Sequence, residues 1–239
     1  GGIAHDFNNI LSGIFGYSQL ALKTIENPQK VENCIVQIDK GAKRAAELVR
    51  QILTFSRQDV YQKHPLTMAA AIKEALQLIR STIPASIEIK KAISSKSTVL
   101  ADPIKIHQLL INLCTNAYHA IGDKNGKITV SLTDKQLQKS ETHNNVKMPA
   151  GTYIVLEVAD TGSGMDESII DKIFDPYFTT KEVGQGTGFG LALASAIVKE
   201  HEGYISVHSV IGQGTNFVVY FPIYQKKAEE ISSKSDQSN

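Results

Sequence analysis

The sequence has no tryptophan and only two cysteines among its 239 residues. Cys34 and Cys114 both lie in apolar helical contexts, and neither has the spacing to neighbours that is typical of metal ligands. We therefore predict that both are reduced core residues of a cytosolic protein.

The sequence also lacks a signal peptide and any apolar run long enough to cross a membrane. Its formal net charge is +1 and it has no basic stripe, which argues against a nucleic-acid partner. The chain starts without methionine, in the middle of a periodic pattern. We expect a cytoplasmic fragment whose parent protein could carry a membrane anchor upstream.

What is present is an ordinary globular composition, with 42% hydrophobic residues, and a helical first quarter. Apolar residues recur there at steps of four and three, the heptad spacing of a helical bundle, with a break at residues 26–28. This pattern predicts two helices in an antiparallel hairpin. The predicted seam consists of Ile3, Phe7, Ile10, Ile14, Tyr17 and Ala21, followed by Val31, Ile35, Ile38, Ala42, Ala45, Val49 and Ile52.

A single hairpin cannot enclose a core, so we predict that two copies form a dimeric four-helix bundle. The alternative is that the hairpin packs on the C-terminal half of its own chain. Beyond His64-Pro65, strand and helix patterns alternate, which predicts an α/β sandwich with one mixed sheet covered by helices. We expect residues 135–150 to form a polar, mobile extension. The predicted domains are the hairpin (1–62), the sandwich (63–225) and a polar linker (226–239).

Two asparagines lie on a helix for which Asp102 is the predicted N-cap and Pro103 the first residue. Asn112 and Asn116 are one turn apart, opposite the predicted core face. Such a pair of amides can orient a ligand or a hydrated metal ion, although a solvated surface is the alternative. The predicted core face consists of Ile106, Leu109, Leu110, Leu113, Ala117 and Ile121.

Two glycine-rich stretches follow. In "DTGSGM", Asp160 ends a strand and could accept a hydrogen bond from an exocyclic amine, while Gly162 and Gly164 let the backbone approach a flat ring. In "GQGTGFGLALA", alternate glycines expose main-chain amides at a helix N-terminus, which favours phosphate. These glycines are Gly184, Gly186, Gly188 and Gly190. A plain turn and a flexible loop are the alternatives.

The order and spacing of these stretches resemble the ATP-binding domain shared by sensor histidine kinases and gyrase-type and Hsp90-type ATPases. The resemblance to histidine kinases covers residues 1 to about 222. "HDFNN" resembles the H box, "LLINLCTNAYHAI" the N box, "DTGSGM" the G1 box, "IFDPYFTTK" the F box and "GQGTGFGLALA" the G2 box. "GQGTNF", at residues 212–217, resembles the closing glycine motif. Phe189 replaces a usual leucine.

The resemblance implies an ATP site. Asn116 would bind the Mg²⁺ that bridges the phosphates, with support from Asn112, and Asp160 would bind the adenine amine. Lys181 would contact a phosphate from the lid. Phe174, Pro176 and Phe178 would anchor this lid by apolar packing. The other implied nucleotide contacts are Gly162, Gly164, Gly184, Gly186, Thr187, Gly188, Gly190, Leu191 and Thr215.

The gyrase and Hsp90 types place a glutamate one turn before the metal-binding asparagine, where this chain has Asn112, an amide that cannot act as a general base. Another nucleophile must then accept the phosphoryl group. His5 lies off the predicted seam, and a neutral imidazole nitrogen is a good phosphoryl acceptor. Asp6 can accept the proton from the other ring nitrogen. Asn9 matches the position that orients a water in the reverse, phosphatase reaction.

We predict an ATP-dependent protein histidine kinase of a two-component system, in which residues 1–62 dimerise and carry His5 and residues 63–225 bind Mg-ATP. The expected partners are a second copy, an upstream sensor domain and the receiver domain of a response regulator, either separate or fused downstream. Two other functions stay open: a nucleotide-binding dimerisation module without catalysis, and a gyrase-type hydrolase.

Overall fold

The computed structural model describes residues 2–56, 63–122, 124–143, 146–180 and 188–225, so the predicted linker lies outside the described residues. The side chains of residues 2–8, 10, 43, 44, 46–56, 143 and 146 are also outside this description. The chain divides into two compact units, Gly1–Tyr61 and Gln62–Asn239. The first unit is a hairpin of α1 (Gly2–Lys23) and α2 (Pro28–Ser56).

The inward face of this hairpin differs in part from the predicted seam. Tyr17 is 41% exposed and Ile35 56% exposed, whereas Cys34 is buried. The two helices approach each other closely at Gly41, where a Cβ atom would lie 2.7 Å from Ile14 Cγ1. Five predicted seam residues are half-buried: Ile14, Ala21, Val31, Ile38 and Ala45.

The second unit contains the predicted mixed sheet. Its strand order is β2 (Ile87–Ile93), β4 (Gly126–Leu137), β7 (Gly151–Asp160), β9 (Gly214–Pro222) and β8 (Tyr204–Val210). The β2–β4 pair is parallel and the other pairs are antiparallel. A separate antiparallel pair joins β1 (His64–Thr67) to β3 (Thr98–Ala101).

Three helices pack on one face of this sheet: α3 (Met68–Thr82), α4 (Pro103–Ile121) and α6 (Gly190–Glu200). A shorter helix, α5 (Glu167–Ile170), follows β7. The α4 helix begins as predicted, since the Asp102 carboxylate accepts a hydrogen bond of 2.8 Å from the Ile104 N–H. All six predicted core residues of α4 are buried, and so is Cys114. Among the described residues, no helix has the length and apolar character needed for a membrane crossing.

The polar extension predicted at residues 135–150 contains regular strands in its described part. The β4 strand continues to Leu137, and β5 (Glu141–His143) pairs with β6 (Val146–Met148). Leu137 and Met148 are buried on the sheet face opposite the helices, because alternate residues of a strand point to opposite faces. These two apolar residues thus pack the polar stretch against the sheet. Their cluster also contains Tyr153, Val155, Val218 and Tyr220.

Candidate nucleotide site

Asp160 ends β7 as a buried carboxylate, with 7% of its surface exposed. Its Oδ1 atom accepts hydrogen bonds from the backbone N–H groups of Gly162, at 2.7 Å, and Thr215, at 3.3 Å. Burial raises the pKa of Asp160, and these two hydrogen bonds oppose that shift. Because Oδ2 takes part in neither bond, it can accept a hydrogen bond from a ligand.

The "DTGSGM" turn lies against the C-terminal end of α4. A Cβ atom at Gly162 would lie 2.6 Å from the carbonyl carbon of Ala120, and the Ser163 N–H donates to Ala120 O at 2.9 Å. Gly164 has a φ of +67°, and a Cβ atom there would lie 2.0 Å from Val210 O. Only glycine fits both positions without a backbone shift. The turn is thus held between α4 and the β8–β9 turn.

The two asparagines of α4 lie next to the beginning of α6. Both are half-buried, and the Nδ2 atom of Asn112 is buried without a hydrogen-bond partner in the part of the chain that the structure describes. A Cβ atom at Gly190 would lie 3.5 Å from Asn116 Nδ2. The structure therefore brings Asn116 and Gly190 together, while Asp160, Gly162 and Thr215 form a second group of neighbours.

The glycine loop before α6 is described only from Gly188. Lys181, Gly184, Gly186 and Thr187 lie outside the described residues. Gly188 has a φ of +66°, and its carbonyl accepts a hydrogen bond of 3.1 Å from the Tyr177 N–H.

The apolar residues around this loop follow the predictions only in part. Leu191, Phe174 and Phe178 pack against the main core. Pro176 is exposed, so the prediction that it packs with these residues was wrong. Within the F box, Ile173 is buried in the main core and the two phenylalanines pack against it.

Sequence reasoning missed Ser209. Its hydroxyl accepts a hydrogen bond of 2.8 Å from the Met165 N–H and shares one of 2.9 Å with the Thr215 hydroxyl. Ser209 pairs directly with Thr215 across the β8–β9 hairpin. The signal that could have revealed it was the glycine turn "GQG", which sets the register of that hairpin.

The predicted phosphoacceptor residues lie in the other unit. His5 and Asp6 are part of α1, but their side chains lie outside the described residues. Asn9 is exposed on the same helix, one turn after His5.

The polar groups of the second unit fit a nucleotide that brings its own metal ion. Among the described residues, no group of three His, Cys, Asp or Glu side chains could hold a metal. Mg²⁺ keeps few protein ligands and takes oxygen donors, which an Asn116 amide oxygen and nucleotide phosphates can supply. The unpartnered Asn112 amide and the available Asp160 oxygen are suited to a polar ligand.

Two family models cover both units. The model described as "Histidine kinase-, DNA gyrase B-, and HSP90-like ATPase" matches residues 101–225, and that described as "His Kinase A (phospho-acceptor) domain" matches residues 1–60. The first of these two models describes an ATP-binding domain. With both domains present, the chain belongs to the histidine kinase family of two-component signal transduction.

Curated histidine kinases and a solved histidine kinase structure are similar to this chain. Sensor kinase CckA of Brucella abortus is 36% identical over 96% of this chain and 25% of its own length. AtoS of Escherichia coli, a signal transduction histidine-protein kinase, is 32% identical over 93% of this chain and 34% of its own length. The chain thus spans a quarter of one of these curated relatives and about a third of the other. The histidine kinase ThkA, solved in complex with response regulator protein TrrA, matches with a TM-score of 0.68 and 26% identity over 93% of this chain and 60% of that chain.

Proposed function

We propose that this chain is the catalytic core of a sensor histidine kinase, which transfers the γ-phosphoryl group of ATP to His5 and then to an aspartate of a receiver domain. The observation that carries this proposal is the buried Asp160 carboxylate beside α4, with Asn112 and Asn116 of that helix next to the start of α6. The match of residues 1–60 to a phosphoacceptor domain supplies the second half.

Each described group has a role in binding. Asp160 Oδ2 accepts a hydrogen bond from the adenine amine, and Asn116 supplies an amide oxygen to Mg²⁺ with support from Asn112. Bound Mg²⁺ neutralises charge on the phosphates. The N-terminus of α6 presents main-chain amides to the same groups. The remaining proposed contacts are Gly162, Gly164, Lys181, Gly184, Gly186, Thr187, Gly188, Gly190, Leu191 and Thr215.

Asn112 favours a kinase over a hydrolase. An amide has no basic group at neutral pH, so water beside it is not activated. His5 is the nucleophile instead: one ring nitrogen forms a bond to the γ-phosphorus as the bond to the ADP oxygen breaks. Asp6 accepts the proton from the other nitrogen, a type of assistance worth roughly 10²–10⁴-fold.

We also propose a phosphatase activity toward the phosphorylated receiver. Asn9 is exposed one turn after His5, where its amide can orient a water molecule. The complex of ThkA with response regulator protein TrrA supports a receiver as the partner.

Dimerisation is proposed for the hairpin, within a domain division at residues 1–62, 63–225 and 226–239. Tyr17 and Ile35 have the heptad spacing of a bundle seam and are exposed in the single chain, as they must be if a second copy covers them. Ile25 and Val36 extend the same apolar surface toward the loop of the hairpin.

Cys34 and Cys114 are free and buried, which supports a reducing, cytoplasmic compartment. An upstream sensor domain is a further proposed partner.

The test is incubation with γ-labelled ATP and Mg²⁺. We expect an acid-labile, base-stable label that is absent from His5→Gln and present in the control His208→Gln, which changes an exposed histidine of β8. A label that survives in His5→Gln would contradict the assignment. ATP binding without any label in the wild type would favour a binding module, and continuous phosphate release by His5→Gln would favour a hydrolase.

A further inference from the structure

His201 follows the last residue of α6 and is 4% exposed. Its Nδ1 atom lies 2.8 Å from Ile197 O, and its Nε2 atom lies 3.1 Å from the Asp102 nitrogen. The ring also meets Phe221 edge to face, with centroids 6.3 Å apart. One buried imidazole therefore connects α6, the N-cap of α4 and the sheet.

These partners determine which ring nitrogen carries the proton. The Asp102 N–H can only donate, so Nε2 must be unprotonated to accept from it. Ile197 O can only accept, so Nδ1 carries the hydrogen. His201 is thus neutral in this arrangement, with both nitrogens used in hydrogen bonds.

The α4 and α6 helices also form part of the proposed nucleotide site, toward the ends that lie away from His201. Asn116 of α4 faces Gly190, the first residue of α6, whereas Asp102 and His201 join the start of α4 to the end of α6. At 1.5 Å per residue, about 21 Å of α4 separates Asp102 from Asn116. A change of helix angle at His201 would therefore displace the asparagine from the α6 N-terminus.

The first described residues of the second unit also contact the elements that His201 joins. Lys63 Nζ donates to Glu200 O, at the end of α6. His64 pairs with Ala101, the residue before Asp102. The entering strand, the start of α4 and the end of α6 thus form one bonded junction.

We propose that His201 is a positioning residue for nucleotide binding, which sets the angle between α4 and α6 through its hydrogen bonds to Asp102 and Ile197. This inference depends on the proposed nucleotide site. It assigns to His201 no contact with the nucleotide itself.

The test compares three variants of the full chain for their affinity for Mg²⁺ with a non-hydrolysable ATP analogue. His201→Phe keeps a ring against Phe221 but loses both hydrogen bonds. We expect binding to weaken about tenfold or more, since a single buried hydrogen bond is worth about that factor. His201→Gln keeps a donor and an acceptor and should recover most of the affinity. Val155→Ala, in the cluster on the opposite sheet face, should lower stability without changing affinity.

The tautomer gives a second measurement on the unaltered protein. Long-range ¹H–¹⁵N spectra should show His201 protonated at Nδ1 only. Protonation at Nε2 would overturn the inference even if His201→Phe does not fold, as would unchanged affinity in a folded His201→Phe. Asn116→Ala separates the two proposals: if it loses binding while His201→Phe keeps it, only the positioning role fails. Normal binding by Asn116→Ala would contradict the nucleotide site itself.

Discussion

The rings of Tyr177 and Phe189 meet edge to face, with centroids 4.5 Å apart and planes inclined at 67°. The backbone of Gly188 lies against that of Tyr177, and its carbonyl accepts a hydrogen bond from the Tyr177 N–H. Tyr177 has a φ of +70°, a conformation that bulky residues rarely adopt. The pairing of Tyr177 with Phe189 and Gly188 therefore holds a strained backbone beside the N-terminus of α6. Phe189 stands where the family resemblance expects leucine.

Gly188→Ala tests this contact. A Cβ atom there would lie 2.4 Å from the Tyr177 carbonyl carbon. The control is Gly212→Ala, because Gly212 also has a positive φ, +76°, but nothing within 4 Å of a Cβ atom. We expect each change to lower the free energy of unfolding by about 1–2 kcal/mol from the left-handed conformation. Gly188→Ala should lose more, and should also bind ATP more weakly. Equal losses in urea denaturation would contradict the close contact.

We expect the Asp160→Asn variant to keep its stability but to lose affinity for ATP. Burial raises the folded-state pKa above the ordinary 3.8, so the stability associated with this group is present below pH 3.8 and is lost as pH rises through the folded pKa. An asparagine keeps an oxygen for the N–H groups of Gly162 and Thr215 without the charge. We expect Asp160→Asn to be at least as stable as wild type at pH 7, with an advantage that shrinks toward pH 3.8.

The same variant should bind ATP at least tenfold more weakly, the order expected when an acceptor for a buried ligand amine becomes partly a donor. Denaturation curves across this pH range, together with calorimetric titration at pH 7, measure both effects. A variant that is less stable at neutral pH and binds normally would exclude the proposed role.

Asn116→Ala should abolish labelling of His5, because an oxygen ligand of the proposed Mg²⁺ is lost. The fold should persist, since Asn116 is half-buried outside the main core. Thr115→Ala changes an exposed neighbour on the same helix and is the control. Circular dichroism and a labelling time course are the measurements. Normal labelling by Asn116→Ala would refute the metal role.

Asn9→Ala should retain phosphorylation of His5 but lose dephosphorylation of the receiver, because only the reverse reaction needs an oriented water. Ser12→Ala, at an exposed position of the same helix, is the control. The decay of a phosphorylated receiver, followed with each protein, gives the rates. Similar rates with wild type and Asn9→Ala would show that this amide has no role in the phosphatase reaction.

Some features of the fold were predictable because they depend on local chemistry. The N-cap at Asp102, the core face of α4 and the hairpin break at residues 26–28 follow from hydrogen-bonding capacity and periodicity within one element. The hairpin seam was less predictable. Ile35 has the heptad spacing but is 56% exposed in the single chain, whereas Cys34, one residue earlier, is buried.

By itself, the sequence determined the family, the order of the nucleotide motifs and the absence of a glutamate at Asn112, because these depend on residue types and their spacing. Only the tertiary structure decided that Ser209 joins Thr215, that Leu137 and Met148 pack on the sheet, and that His201 joins α4 to α6. Each of these contacts links segments whose neighbourhood depends on strand register or helix packing. A residue pattern within one segment does not specify such pairings, because the packing of the whole core sets them.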